Sequence, residues 1–354
     1  MIDRIYLGTL IDINKEQYLP IMDKSYLISN TLTNSVVSIQ KYGDEKIIST
    51  DNTTIHIRSA YTSELIKMIV APRQIRYSPI GDRYKHFAVS SDLTKIYCIT
   101  SDTTDIIYLS IYDITTDTWE DHLLPTITTT YSTYVTYMII DETENTIFVY
   151  VGQYNMMYKF SLSTFELLAQ GPVGTKNSGL SFDGSYLYAM YTASNHSQVK
   201  KYDKNTLSIV ASSADTYYRS TSTVESGEVF LYNGYLFVSS TIFQSSYNIA
   251  KIRTSDMAIV ANTGDSIVPA GRMCVDDGKL FGVQTGASKG ELMEFDINTL
   301  GAKTPTITTI SQYNDQVLIV PRYGVVYAGT QAQIVQIESQ YSIKGYKKVK
   351  EIME

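Results

Sequence analysis

Residues 199–213 read VKKYDKNTLSIVASS and residues 292–306 read LMEFDINTLGAKTPT. Each is a short alternating strand, a D-x-x-T turn and a second short strand. An Asp or Ser at the head of such a turn accepts a hydrogen bond from a backbone N–H two residues on, so the turn is closed by local chemistry. The pattern recurs at IHIRSAYTSELIKMIV (55–70), YLSIYDITTDTWEDHL (108–123), MYKFSLSTFELLAQG (157–171), IAKIRTSDMAIVANT (249–263) and IVQIESQYSIKGYKK (334–348). Equivalent positions are Ile57, Ile111, Lys159, Lys201, Lys251, Glu294 and Gln336, spaced by 54, 48, 42, 50, 43 and 42 residues.

A second marker precedes most of these: a tight turn between two apolar strands. It reads SSDLTKIYCI (90–99), DETENTIFVY (141–150), FDGSYLYAM (182–190), YNGYLFVSS (232–240), DDGKLFGVQ (276–284) and PRYGVVYAG (321–329), with YGDEKIISTDN (42–52) in that role in the first repeat. Asp-Gly and Asn-Gly tolerate the positive φ of hairpin turns. Two hairpins per unit, at about 46 residues, match the four-stranded blade of a propeller. The expectation is an all-β chain: a seven-bladed β-propeller over 24–340, an N-terminal strand or extension over 1–23 and a basic C-terminal tail over 341–354 with helical potential. The last blade is expected at 309–340. Residues 3–13 are an alternating strand that either completes a blade or reaches a neighbour.

The turn motifs and the strands KYDKNTLSIV and EFDINTL resemble the superfamily of seven-bladed propellers of the YVTN and WD-repeat type over roughly 24–340. The G-H…W-D signature of true WD repeats is absent. That resemblance implies architecture and says nothing of function, because propellers host many functions. RIYLGTLI (4–11) and IKGYKKVKE (343–351) resemble segments of bacteriophage tail and virion proteins.

The chain has 354 residues, a net charge of -7, 44% hydrophobic and 18% charged residues. A large core is available, and an acidic balance argues against bulk nucleic-acid binding, which needs a basic face. Cys98 and Cys274 are too few for a disulfide framework or a four-Cys metal site and read as buried thiols. MIDRIYLGTLIDINKEQ lacks the apolar core of a signal peptide, and no apolar run is long enough to cross a bilayer. The expected location is a virion made in the host cytoplasm, or else the cytoplasm, without membrane insertion.

No catalytic residues, metal ligands or cofactors are expected. His56, His86, His122 and His196 have no metal-ligand spacing, and no nucleotide or nucleophile motif occurs. Some propellers are glycosidases, which need paired carboxylates. Candidates Asp82, Asp92, Asp141, Glu142, Glu225, Glu228, Asp276 and Asp277 mostly sit in or beside turns and read as turn residues. The interblade segments are more suggestive, because loops on a rigid scaffold carry function. They hold Arg73, Gln74, Arg76 and Tyr77; Tyr131 and Tyr134; Lys176 and Asn177; Tyr217, Tyr218 and Arg219; Arg272; and Gln312, Tyr313 and Asn314. Tyr and Arg give large contact area with a polar handle, so these residues form a candidate binding surface at the channel mouth. The bland reading is that they are ordinary polar residues at blade starts.

The expected function is a non-enzymatic bacteriophage virion protein, tail-associated, whose propeller docks other virion or tail proteins or a host-surface glycan or protein. A cellular YVTN-type protein–protein interaction scaffold is the alternative, and a glycan-active propeller enzyme the third reading.

Overall fold

A computed structural model gives the chain as strands joined by turns. The structure describes residues 11–348 except 14–15, 33–37, 44, 52, 61, 76–86, 103–105, 125–126, 128–134, 153, 176–178, 194–195, 219–223, 226–227, 243–245, 264–272, 277, 286–289, 302–306, 311–313, 321–324 and 331–333. Strands β1 (Ile11–Ile13) and β2 (Glu16–Leu32) precede the repeats. Blade I holds β3 (Ser38–Tyr42), β4 (Lys46–Thr50), β5 (Thr54–Ser59) and β6 (Leu65–Val70). Blade II holds β7 (Gln74–Ile75), β8 (Phe87–Val89), β9 (Lys95–Ser101), β10 (Ile107–Asp113) and β11 (Thr118–Leu123). Blade III holds β12 (Val135–Asp141), β13 (Thr146–Val151), β14 (Met156–Ser161) and β15 (Leu167–Pro172). Blade IV holds β16 (Leu180–Phe182), β17 (Tyr186–Ala193), β18 (His196–Asp203), β19 (Ile209–Ser212) and β20 (Tyr217–Tyr218). Blade V holds β21 (Val224–Glu225), β22 (Val229–Tyr232), β23 (Tyr235–Ile242), β24 (Ser246–Arg253) and β25 (Ile259–Asn262). Blade VI holds β26 (Met273–Asp276), β27 (Lys279–Thr285), β28 (Gly290–Asp296) and β29 (Ile307–Ile310). Last come β30 (Asn314–Val320), β31 (Val325–Thr330) and β32 (Ile334–Lys348).

The fold is an all-β propeller, and its six self-contained blades are each made of consecutive antiparallel strands. The expected seventh unit over 309–340 is not self-contained. Its strands β30, β31 and β32 lie in a composite sheet of order β1-β2-β32-β31-β30, whose outer strands come from the N-terminus. β2 pairs with β32 from Tyr18↔Lys348 to Leu32↔Ile334. The basic tail is therefore strand, not helix, through Lys348, because a cross-strand partner is present along its length. β2 runs through residue 23 and β32 through residue 340, so pairing is continuous across both expected boundaries.

The core lies between sheets rather than within one. One apolar cluster joins blades I to III through Ile48, Phe87, Ile99, Leu109 and Phe160. Others join III to IV, IV to V and V to VI. Tyrosines fill several of these wedges and send their hydroxyls to partners: Tyr42 to the Leu93 carbonyl at 2.9 Å, Tyr150 to the Thr175 carbonyl at 2.7 Å and Tyr188 to Asp183 Oδ2 at 2.6 Å. A Tyr so placed combines large apolar burial with a satisfied polar tip. Cys98 and Cys274 are both buried and form no disulfide; burial pushes the Cys98 thiol well above its usual range.

The repeated turn has the predicted chemistry. Asp203 Oδ1 accepts from the Asn205 and Thr206 amides at 2.9 and 2.8 Å, and Asp296 Oδ1 from the Asn298 and Thr299 amides at 2.9 and 2.8 Å. Asp113 and Ser161 do the same in blades II and III. The turn ends on a left-handed residue that is not glycine: Ser63, Asp117, Phe165, Leu207, Met257 and Leu300, with φ between 56° and 61°. A left-handed L-residue costs about 1–2 kcal/mol. Leu207, Met257 and Leu300 are buried at 4%, 2% and 3% exposure, which returns about 1.5–3 kcal/mol each. The turn is held by that burial. Leu207 packs against the outer strand of blade III at Gly171, where a Cβ would lie 3.4 Å from the Leu207 Cβ.

Candidate functional site

In each self-contained blade the second strand meets the third at one end of the sheet, and the third turns into the outermost at the other. One side of the ring thus carries the D-x-x-T turns and the turns that open the blades; the opposite side carries the interblade segments. The two sides differ in chemistry.

On the interblade side, Arg73 of the expected binding surface is held within its own blade. It ion-pairs with Asp121 and lies over the Tyr108 ring at 4.0 Å, both in blade II. Gln74 pairs with Ser101 on the inner side of β9. Tyr217 and Tyr218 pair with Ser197 and His196, on the edge of β18 that also carries β19. They thus extend the outer edge of blade IV. Asn314 opens the inner strand of the composite sheet. Arg76, Tyr77, Tyr131, Tyr134, Lys176, Asn177, Arg219, Arg272, Gln312 and Tyr313 lie outside the described residues.

One group near this mouth belongs to three blades. Tyr137, on the inner strand of blade III, donates its hydroxyl to Glu228 Oε2 at 2.7 Å, at the start of blade V's inner strand. The two side chains are buried at 1% and 4% exposure. The Glu228 amide donates to Ser239 Oγ at 3.0 Å, and Ser181 of blade IV donates to the neighbouring Val229 carbonyl at 2.7 Å. A buried carboxylate needs such partners. The arrangement ties three inner strands together at the channel. The other described candidate acids go elsewhere: Asp92 to Ser90 and Thr94, Asp141 to Lys204, Glu142 to the Ser91 amide. Asp82 and Asp277 lie outside the described residues, and Glu225 and Asp276 sit in strands.

The turn side carries a repeated contact that the sequence reading used only as a ruler. Lys159 reaches Asn205 Oδ1 at 2.7 Å in the next blade's turn. Lys201 reaches the Thr254 carbonyl at 3.2 Å, and Lys251 the Ile297 carbonyl at 3.0 Å, again in the next blade's turn. Each ammonium also lies over rings of its own blade: Lys159 over Phe148 at 5.4 Å, Lys201 over Tyr186 at 3.9 Å, Lys251 over Tyr235 at 4.3 Å. Lys204 bonds back to Asp141 at 2.8 Å and Glu144 at 3.0 Å. In blade I, Lys67 takes the same route to Asp117 at 2.8 Å. These lysines are drawn between blades, while exposed carboxylates remain at the surface of this side. Asp92 is held down to about 2, first by its bond from Ser90 Oγ. Asp203 and Asp296 are lowered first by the Thr206 and Thr299 amides, and Asp113 first by the Thr115 hydroxyl.

Among the described residues, no group of three or more His, Cys, Asp or Glu could hold a metal ion, and no helix is long and apolar enough to cross a membrane. His122 stacks on Phe165 of blade III, ring centroids 3.4 Å apart, as a further interblade contact.

No family model matches the chain. No curated protein matches it significantly. Among solved structures the chain is similar to BamB from Moraxella catarrhalis, at 8% identity and TM-score 0.55, covering 88% of this chain and 99% of that one. It is similar to a chain of a mitotic checkpoint complex, at 8% identity and TM-score 0.59 over 88% and 91% of the two chains. It is also similar to Kuenenia stuttgartiensis hydrazine synthase, at 13% identity and TM-score 0.60 over 88% and 96%. Likeness at such identities shows the propeller fold alone.

Proposed function

We propose that this chain is a non-enzymatic docking scaffold: a rigid propeller that positions other macromolecules, with its paired termini as the attachment element. We read the composite sheet as a seventh blade that closes the ring, since β30 packs against β26 and β27 on one side and β3 on the other. One observation carries the docking reading. The β2–β32 ribbon runs well past the end of that sheet, and a protein that needed only a closed ring would stop there. Among the described residues, Tyr137, Glu228 and Ser181 near the channel mouth are engaged in holding blades together, which suits a scaffold better than a catalyst. A virion or tail location is the narrower form of the same proposal and rests on the terminal segments alone.

Density-gradient isolation from the native source tests the reading. The chain is expected in a particle or complex of fixed stoichiometry. A chain that travels alone and hydrolyses a member of a broad polysaccharide panel, with turnover lost in Glu228→Gln, would overturn it in favour of the glycan enzyme.

A further inference from the structure

In the six self-contained blades the third strand ends at Ser59, Asp113, Ser161, Asp203, Arg253 and Asp296, level with the start of the second strand. The equivalent residue of the composite sheet is Glu338, which pairs with Val325. There the chain does not turn. β32 continues to Lys348, and β2 accompanies it through nine further pairs, from Tyr26↔Ser339 to Tyr18↔Lys348. At about 3.3 Å per residue this is an arm of about 30 Å. It leaves the sheet on the side of the D-x-x-T turns. Among the described strands, β2 and β32 pack extensively only on one another, on β1 and on β31. A two-stranded ribbon is marginal in water without a surface to lie on.

Its charge says what that surface is. Residues 18–26 and 339–348 carry Lys24, Lys344, Lys347 and Lys348 against Asp23, with Glu16 of β2 and Asp12 of β1 at the far end, in a chain of net charge -7. The turn side presents exposed Glu64, Asp92, Glu142, Asp183 and Asp296 from five blades. Several of the lysines on that side are spent on interblade bonds.

We propose that the arm docks on the acidic turn side of a second copy of this chain, giving a two-fold dimer; this deepens the scaffold reading and rests on it. Arm and target lie on the same side of the ring. Two copies can therefore satisfy both arms only by meeting turn side to turn side, and that arrangement is closed.

Light scattering and sedimentation of the full chain read the outcome. Twice the chain mass is expected in 0.05 M salt. The dissociation constant should weaken by about tenfold or more toward 0.5 M salt, where screening shortens to a few ångströms. Lys344→Glu/Lys347→Glu/Lys348→Glu should be monomeric and still folded, with the parent's circular dichroism and a melting temperature lower by no more than the lost association accounts for. Glu64→Lys/Glu142→Lys should also be monomeric, and mixing the two variants should restore a heterodimer. A full chain that is monomeric at 100 µM (order of magnitude of a demanding test for such an interface), or a triple variant that dimerises undiminished, overturns the proposal. A monomer that still isolates in a larger native complex overturns self-docking and leaves the scaffold reading standing.

Discussion

The lysine contacts between blades allow a quantitative test of how the propeller is held together. Lys251 is 7% exposed and donates to the Ile297 carbonyl at 3.0 Å while lying over Tyr235. A hydrogen bond from a charged donor contributes about 1.5–3 kcal/mol, and the ring about 0.5–2 kcal/mol. Against these stands the cost of drying the ammonium, several kcal/mol for a fully buried ion. The cost is smaller here because the acceptor residue Ile297 is only half-buried. Replacement by Met keeps the stem packed and removes the charge, so each site should lose about 1–2 kcal/mol net. Lys159, Lys201 and Lys251 lie in different blades, so their losses should nearly add, to about 3–6 kcal/mol. Unfolding entropy of about 2.1 cal/mol/K per residue over 354 residues converts this to a drop of about 4–8 °C. Calorimetry on Lys159→Met/Lys201→Met/Lys251→Met, with single variants alongside, reads it. A triple variant melting within about 1 °C of the parent would refute the reasoning, because desolvation would then cancel the contacts.

The turns carry three further tests. Leu207→Gly relieves the left-handed strain at φ 56° but removes a buried side chain, so a net loss of about 1–3 kcal/mol is expected by denaturant titration; Asn145→Gly, at an exposed φ of 54°, should be neutral or stabilise by up to about 1 kcal/mol. The turn carboxylates Asp113, Asp203 and Asp296 are lowered by the bonds they accept, and Asp92 to about 2 by Ser90 and Thr94. Their folded values lie below the unfolded value of about 3.9. Their contribution is therefore present above about pH 4 and lost as pH falls toward 2. The melting temperature should decline through that window, and Asp203→Asn should flatten the decline; an Asp203→Asn variant with the parent's slope would count against it.

What could be read in the sequence follows the range of the interactions. The D-x-x-T turns are closed within three residues, and Asp203 and Asp296 make the bonds their spacing implies. The hairpin at Asn233-Gly234 is equally local, with φ of 47° and 75°. Leu207, Met257 and Leu300 gave no sign of left-handed backbone, since a Leu there is strained in isolation and is held by apolar contacts with other residues of the core. Lys159, Lys201 and Lys251 marked the period, but their partners are 46, 53 and 46 residues away. Arg73 showed the same limit: it reads as a free arginine beside a blade start, yet Asp121, 48 residues on, holds it. Tyr137 and Glu228 are 91 residues apart, and only the ring brings them together. Residues 3–13 alternate cleanly, and of these Ile11–Ile13 pair with β2 while 3–10 lie outside the described residues; β2 itself does not read as a strand, because Pro20, Asp23 and Lys24 interrupt its pattern.

The length of the β2–β32 pair bears on the proposed closure and docking. Bringing Leu27 to Glu338 shuts a loop of 311 residues. Loop entropy grows only as (3/2)RT ln n, so this costs about 2 kcal/mol more than closing one repeat of 46 residues. Five pairs, from Leu27↔Glu338 to Leu32↔Ile334, lie within the height of the sheet. At about 0.2–1 kcal/mol per cross-strand pair, they offset that excess, before any packing of the sheet on its neighbours. The outer strands β6, β11 and β15 complete their blades with six residues each, whereas β2 has 17. The nine pairs beyond Glu338 are thus not required to shut the ring. Half of that extra ribbon is drawn from each end of the chain, so neither terminus alone can form it. Only a chain whose β2 and β32 have met presents the arm, so docking as proposed would select folded subunits over incomplete ones.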